Sequence, residues 1–126
     1  GEEMEDKEKI EYHKRHGYLM VKINIRWTVG NVRWIIDEAK NEILKKGHQK
    51  ILIDVTFWDR PDNEMTRFFS GEYLAAAFKP QYKLSAFANS SIINRFTENT
   101  AVNRGTNFRV FPNKDEALRW LLNDEK

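Results

Sequence analysis

The sequence contains no cysteine among its 126 residues. It therefore cannot form a disulfide framework, use a thiolate nucleophile or bind a metal through cysteine sulfur. Its apolar runs are far shorter than the ~20 residues that a membrane-spanning helix needs, and its charged N-terminus lacks the apolar core of a signal peptide. We expect a cytoplasmic protein that does not insert into membranes. The 21 basic and 19 acidic residues nearly cancel, and this balance does not favour nucleic acid as a partner.

Glycine and proline are also sparse, with 6 and 3 residues respectively, and none of them belongs to a flexible linker that would mark a domain boundary. The chain is 40% hydrophobic and 13% aromatic, which is enough to build one packed core. We therefore expect a single domain over residues 8–123. The charged residues 1–7 are expected to be a disordered N-terminal segment.

Hydrophobic periodicity predicts strands that alternate with helices. Apolar residues occupy every second position from Leu19 to Ile25, the pattern of a strand with one buried face. A helix is predicted to follow, with Thr28 as its cap and Gly47 at its end. The remaining chain continues the alternation, and its last helix carries a capping-box pair, Asn113 and Glu116. The order β-β-α-β-α-β-α-β-α predicts an α/β fold with a mostly parallel five-stranded sheet, an antiparallel N-terminal edge strand and about four helices on its faces.

The apolar residues of the second and the last predicted helix indicate which side chains are buried. For the third predicted helix, the sequence indicates only where it begins and ends. The stripe of the second helix is predicted to be Met65, Phe68, Phe69, Tyr73 and Ala76. That of the last helix is predicted to be Leu118, Leu121 and Leu122. One helix is predicted from Ser90 or Ser91 to Gly105.

An acidic loop follows the apolar strand "ILIDV" at residues 51–55. Asp59, Asp62 and Glu64 could hold a hard cation such as Mg²⁺ or serve as an acid/base pair. They could also simply cap the following helix, which is the interpretation we prefer, with Asp62 as the cap. Asp54 is expected to accept N–H groups of the loop. No metal and no cofactor are predicted, because the helical HExxH pattern and the glycine-rich phosphate loops are absent. An enzyme is ranked lowest, because no nucleophile, base and orienting group can be named together.

The order of elements, the segment "ILIDV" before a loop and a helix, and the ending "VFPNKDEALRWLL" resemble the SpoIIAA-like bacterial proteins. In that ending, Phe111 is followed after four residues by Glu116-Ala117 and then by Trp120-Leu121. The SpoIIAA-like proteins are relatives of the STAS domain of anti-sigma-factor antagonists, and they share a fold class with CRAL-TRIO lipid carriers. The resemblance covers residues 8–123.

This resemblance implies an Asp-Ser pair at a helix start, whose serine is phosphorylated by a partner kinase to break a protein complex. Counted from Asp54, the pair falls on Asp62-Asn63. Asparagine cannot accept a phosphate, and the nearest hydroxyl groups belong to Thr56 and Thr66. We therefore do not transfer the phosphorylation switch to this chain.

The first functional hypothesis is a non-enzymatic regulatory or protein-interaction module. Its expected surface is formed by Phe57, Trp58, Asp59, Asp62 and Asn63. Trp58 stands in a polar loop, where an exposed aromatic residue marks a partner surface or the mouth of an apolar pocket.

The second hypothesis is a carrier of a small apolar or lipid-like ligand. The segment "YLAAAFKP" at residues 73–80 combines small alanines with aromatic residues and could leave space beneath its helix, although close packing on the sheet is favoured. An enzyme that uses loop carboxylates is the third hypothesis. A homodimer is also considered, without a contact face that the sequence identifies.

Overall fold

The computed structural model describes residues 9–123, apart from the side chain of Phe96. The expected disordered segment, residues 1–7, lies outside this range. The strands are β1 (Lys9–Arg15), β2 (Tyr18–Asn24), β3 (Lys50–Asp54), β4 (Lys83–Phe87) and β5 (Asn107–Phe111). The helices are α1 (Val29–Lys46), α2 (Met65–Ala77), α3 (Phe96–Asn103) and α4 (Lys114–Leu122), with a short 3₁₀ helix at Ser90–Ile92.

The five strands form one sheet in the order β1-β2-β3-β4-β5. β1 pairs antiparallel with β2, and every other pairing is parallel. The predicted α/β fold is therefore confirmed. The register places Leu19, Ile51, Leu84 and Phe108 side by side across the parallel strands, where they form a buried apolar row.

The crossover helices cover one face of the sheet. From β2 to β5 each new strand is added on the same side, and right-handed crossovers then place their helices on the same face. Residues of α1, α2 and α3 accordingly share one large core cluster with the sheet. α4 covers the opposite face, where Ala117 and Leu121 pack against Leu52 and Phe87.

Local hydrogen bonds define the ends of the helices much as the sequence predicts. The side chain of Thr28 accepts the Asn31 N–H at 3.0 Å, and Gly47 ends α1 in the left-handed conformation at φ 76°. Asn113 Oδ1 accepts the Glu116 N–H at 2.9 Å, and its amide nitrogen donates to the Glu116 carboxylate. Both caps and the capping box are confirmed.

The predicted third helix is divided. A single 3₁₀ turn occupies Ser90–Ile92, and α3 begins only at Phe96. Between them Arg95 has φ 71°, a left-handed conformation that an arginine rarely adopts and that interrupts a continuous helix. The prediction of one helix from Ser90 is wrong for this reason.

The predicted stripe of α2 is also wrong for four of its five residues, since only Tyr73 packs, partly buried, against the main core. Met65 is 49% exposed, Ala76 is exposed, and Phe68 and Phe69 are only half-buried, outside the core clusters. The buried residues of α2 are instead Thr66, Arg67, Ser70, Gly71 and Leu74.

The neighbours of α2 explain this choice. α2 packs between α1 and α3, and a Cβ atom at Gly71 would lie 2.7 Å from the Thr97 carbonyl oxygen of α3. Only a residue without a side chain at position 71 permits this approach. In α4 the stripe is also shifted, because Ala117 and Leu121 are buried whereas Leu122 is 44% exposed.

Candidate functional site

Three loops meet at the carboxyl edge of the parallel strands. They follow β2, β3 and β4, and hydrogen bonds tie them together. The Trp58 indole N–H donates to the Ile25 carbonyl at 2.6 Å, which joins the second loop to the first. The Asn89 amide donates to the Thr56 carbonyl at 3.2 Å, which joins the third loop to the second. This edge is where parallel α/β sheets place their ligand sites.

Trp58 is half-buried in this arrangement. Its ring stacks on that of Trp27, with centroids 4.6 Å apart and planes 11° from parallel. Trp27 is buried, and its indole N–H donates to Ser70 Oγ at 2.9 Å. Trp58 thus connects the loop to the core and lies in the wall of an apolar cavity.

Asp62 does not cap α2 as predicted. Its Oδ1 accepts the Thr66 hydroxyl at 2.9 Å and the Val29 N–H, the first amide of α1, at 3.3 Å. Asn63, the residue before the N-cap Glu64, bonds to the start of α2 instead, because its Oδ1 accepts the Met65 N–H at 2.8 Å. The prediction was wrong because only the tertiary structure brings the start of α1 beside the loop.

Asp54 has its expected role of ordering the turn. Its Oδ1 accepts both the Thr56 N–H at 2.9 Å and the Thr56 hydroxyl at 2.7 Å. Asp59 is exposed and makes no hydrogen bond within residues 9–123. Over the same residues, no three histidine, aspartate or glutamate side chains come together in a group that could hold a metal ion.

The two threonine hydroxyl groups near the loop are both engaged. Thr66 is fully buried and donates to Asp62. Thr56 is exposed, and its hydroxyl donates to Asp54. A kinase would have to unfold the start of α2 to reach Thr66.

An exposed surface remains around these anchors. Phe57 is 53% exposed, and Asp59, Asp62 and Asn63 are exposed beside it in the sequence. Two further apolar side chains, Val29 and Met65, are exposed at the starts of α1 and α2. We call Phe57, Asp59, Asp62 and Asn63, with the half-buried Trp58, the edge surface.

A cavity of about 110 Å³ lies between the sheet and the helices α1 and α2. Its walls are mostly apolar and include Val21, Ile23, Trp27, Ile35, Ile53 and Trp58. It reaches the surface at the segment after β4, because the exposed residues Asn94 and Arg95 also line it.

One charged residue lies deep in this cavity wall. Arg67 is only 4% exposed, donates from Nη1 to the Ile92 carbonyl at 2.6 Å and lies 5.1 Å from the centre of the Trp27 ring. Sequence analysis missed it because the aromatic residues of α2 suggested a different buried face. The available signal was the spacing of Thr66, Ser70, Leu74 and Phe78, four residues apart along one face of α2.

No protein-family model and no curated protein sequence matches the chain. Solved structures do. The chain is similar to an anti-sigma factor antagonist from Mycobacterium paratuberculosis, with a TM-score of 0.65 and 14% identity over 91% of this chain and 94% of that one. It is also similar to an uncharacterised protein of the DUF3478 family with a SpoIIAA-like fold from Shewanella loihica PV-4. That likeness has a TM-score of 0.54 and 18% identity over 90% of this chain and 92% of that one. The fold is therefore SpoIIAA-like, as the sequence resemblance implies.

Across residues 9–123, no helix is both long enough and apolar enough to cross a bilayer.

Proposed function

We propose that the protein is a non-enzymatic, cytoplasmic interaction module that binds another protein through its edge surface. The observation that carries the proposal is Phe57, a large aromatic side chain held 53% exposed at the carboxyl edge of the sheet. Exposed aromatic residues at the centre of a surface commonly anchor protein interfaces. The similarity in fold to an anti-sigma factor antagonist supports a regulatory role for this surface.

The anchoring of the loop supports the same function. The Thr56 carbonyl accepts from Asn89, and the Trp58 indole donates to the loop after β2, so Phe57 is held on both sides. A surface that is ordered before binding loses less conformational entropy on association. The loop can therefore present Phe57 to a partner without a large ordering cost.

Asn63 leaves the module without a phosphorylation switch at this position. It lies at the start of α2, where the resemblance to the antagonists implies a phosphorylated serine, and it cannot accept a phosphate. Thr66 is buried and does not replace it. On this proposal, partner binding does not depend on phosphorylation at this position.

The experiment is a pull-down from the native host with the wild type and a Phe57→Ser variant. Leu44→Ser is the matched control, because Leu44 is 54% exposed but lies near the end of α1, at the opposite edge of the sheet. We expect Phe57→Ser to lose a partner that both other proteins retain. Equal recovery by all three would contradict the proposed surface.

An Asn63→Asp variant tests the link to regulation. A negative charge at residue 63 imitates the phosphorylated state of the antagonists, so we expect it to weaken partner binding. Sedimentation of the purified wild type and of Phe57→Ser separates self-association from binding to another protein. Sedimentation of the wild type as a dimer and of Phe57→Ser as a monomer would identify the partner as a second copy of this chain.

A carrier of a small apolar ligand is the second candidate, and the 110 Å³ cavity is the observation that favours it. From α2, the cavity is lined by Arg67, Ser70 and Leu74, whereas none of the alanines at residues 75–77 lines it. Native mass spectrometry of protein purified from its host tests this function, and the absence of any bound small molecule would count against it.

A further inference from the structure

We propose that the cavity beneath α1 and α2 binds a small apolar monocarboxylate, with the carboxylate held by Arg67. This inference rests on the second candidate function and specifies its ligand class. It concerns the interior of the protein, so the edge surface can bind a partner whether or not the inference holds.

Arg67 makes few hydrogen bonds for a buried arginine. Its guanidinium carries five N–H groups, and the structure gives it one hydrogen bond, from Nη1 to the Ile92 carbonyl. Its Nε is buried and has no hydrogen-bond partner among the described residues. A buried donor without a partner costs about 1–3 kcal/mol, and more when the group is charged. A ligand that accepts from this guanidinium would recover that cost.

The charge of Arg67 is not neutralised inside the protein. Glu64 Oε1 lies 3.6 Å from Nε, beyond hydrogen-bond distance, and the Glu64 side chain is 75% exposed. Exposed carboxylates of this kind contribute little to an ion pair because water competes for them. A ligand carboxylate can displace Glu64 at small cost.

The acidic residue that lines the cavity is already paired. Glu98 Oε1 accepts from Arg95 Nη1 at 2.7 Å and from the Val110 N–H at 3.0 Å. The cavity lining thus contains two arginines, Arg67 and Arg95, and one carboxylate. The excess positive charge favours an anion over a cation or a neutral molecule.

The other walls define the rest of the ligand. They are formed mainly by valine, isoleucine and aromatic side chains, which favour an apolar body. The second arginine of the lining, Arg95, is exposed and already paired with Glu98. An engineered apolar cavity of about 150 Å³ holds one benzene molecule, so a volume of about 110 Å³ fits roughly six non-hydrogen atoms or somewhat fewer. A short or branched monocarboxylate meets these conditions, whereas a dicarboxylate or a long fatty acid does not.

Arg67 also has contacts that would suit a purely structural role. It lies over the Trp27 ring and holds the 3₁₀ turn through Ile92. A structural arginine would stabilise the fold without any preference among ligands that enter the cavity. The experiment must therefore measure the difference between a charged ligand and its neutral counterpart.

The test uses the wild-type protein with 2-methylpropanoate, the neutral 2-methylpropan-1-ol and the longer decanoate. Binding is followed through the indole N–H signals of Trp27 and Trp58 in ¹H–¹⁵N NMR spectra, because both rings line the cavity. We expect 2-methylpropanoate to bind at least tenfold more tightly than the alcohol and than decanoate. Equal binding of acid and alcohol would overturn the role of Arg67 but leave the apolar carrier intact. Binding of neither would overturn both.

An Arg67→Gln variant provides the second measurement, with Arg33→Gln as control because Arg33 is exposed and contacts Tyr73. We expect Arg67→Gln to lose the tenfold preference for the acid and Arg33→Gln to retain it. A preference that persists in a folded Arg67→Gln protein would contradict the proposal. If that variant does not fold, the comparison of acid with alcohol on the wild type decides.

Discussion

The ring of Trp58 lies flat on that of Trp27, 4.6 Å from it between centroids. This contact joins the loop after β3 to the core, and it has two consequences. The loop is held in place from below, and the same two rings form part of the cavity wall. The surface proposed for a partner and the cavity proposed for a ligand therefore share one aromatic pair.

The stacked pair predicts a large stability loss for Trp58→Ala. The substitution removes the ring contact and the hydrogen bond to Ile25, and large-to-small changes of half-buried or buried aromatic residues cost about 2–5 kcal/mol. Trp34→Ala is the control, because Trp34 is 44% exposed, and we expect a loss below about 1 kcal/mol. Urea unfolding measures both. Similar losses would contradict an anchoring role for Trp58.

Asp62 and Asp59 lie in the same loop but differ in their hydrogen bonds. Their substitution by alanine is therefore expected to change stability by different amounts. Asp62→Ala removes acceptors for Thr66 and Val29, so we expect a loss of about 1–2 kcal/mol. Asp59 is exposed without a hydrogen bond in the described part of the chain, and Asp59→Ala should change stability by less than about 0.5 kcal/mol. Chemical denaturation of the two variants checks this, and an equal effect would show that Asp62 does not join the two helices.

Gly71 and Gly30 both lie within helices, where alanine is normally the better residue by about 1 kcal/mol. At Gly71 an added Cβ would meet Thr100 Cβ at 2.6 Å and the Thr97 carbonyl at 2.7 Å. Gly71→Ala should therefore destabilise the protein by about 1–3 kcal/mol. At Gly30 the nearest atom is 4.0 Å away, and Gly30→Ala should be neutral or stabilising. Thermal unfolding of both variants tests the close approach of α2 and α3.

Tyr12 predicts a dependence of stability on alkaline pH. Burial, followed by the charges of Glu38 and Glu42, raises its pKa well above the usual value of 10.0. The unfolded chain therefore loses the phenolic proton first, so this contribution to stability is complete below about pH 10 and declines as pH rises above it. Tyr12→Phe should decline less steeply above that pH.

The same variant has an expected effect at neutral pH. The Tyr12 hydroxyl is buried without a hydrogen-bond partner among residues 9–123, so its removal should leave stability unchanged or raise it by up to about 1 kcal/mol. Unfolding midpoints of both proteins, measured from pH 7 to 11, separate the two effects. Parallel curves for wild type and variant would contradict the pKa argument.

Sequence reasoning predicted the fold where the signals are local. The alternation from Leu19 to Ile25, the Thr28 cap and the Asn113–Glu116 pair each depend on residues a few positions apart, and the structure contains all three. Sequence reasoning was less accurate where the packing of neighbouring elements determines which side chains are buried. Apolar content suggested the wrong buried face for α2, because the close packing of α3 at Gly71 selects small side chains.

The features of the candidate site also fall into those that local sequence predicts and those that depend on tertiary contacts. The sequence by itself determined the α/β order, the loop at the carboxyl edge of β3 and the presence of Asn63 in that loop. Only the tertiary structure decided that Asp62 bonds to the start of α1, that Trp58 stacks on Trp27 and that Arg67 lies inside an apolar cavity. These contacts join residues about 25 to 40 positions apart, and no local pattern in the sequence encodes which distant backbone or ring a side chain will meet.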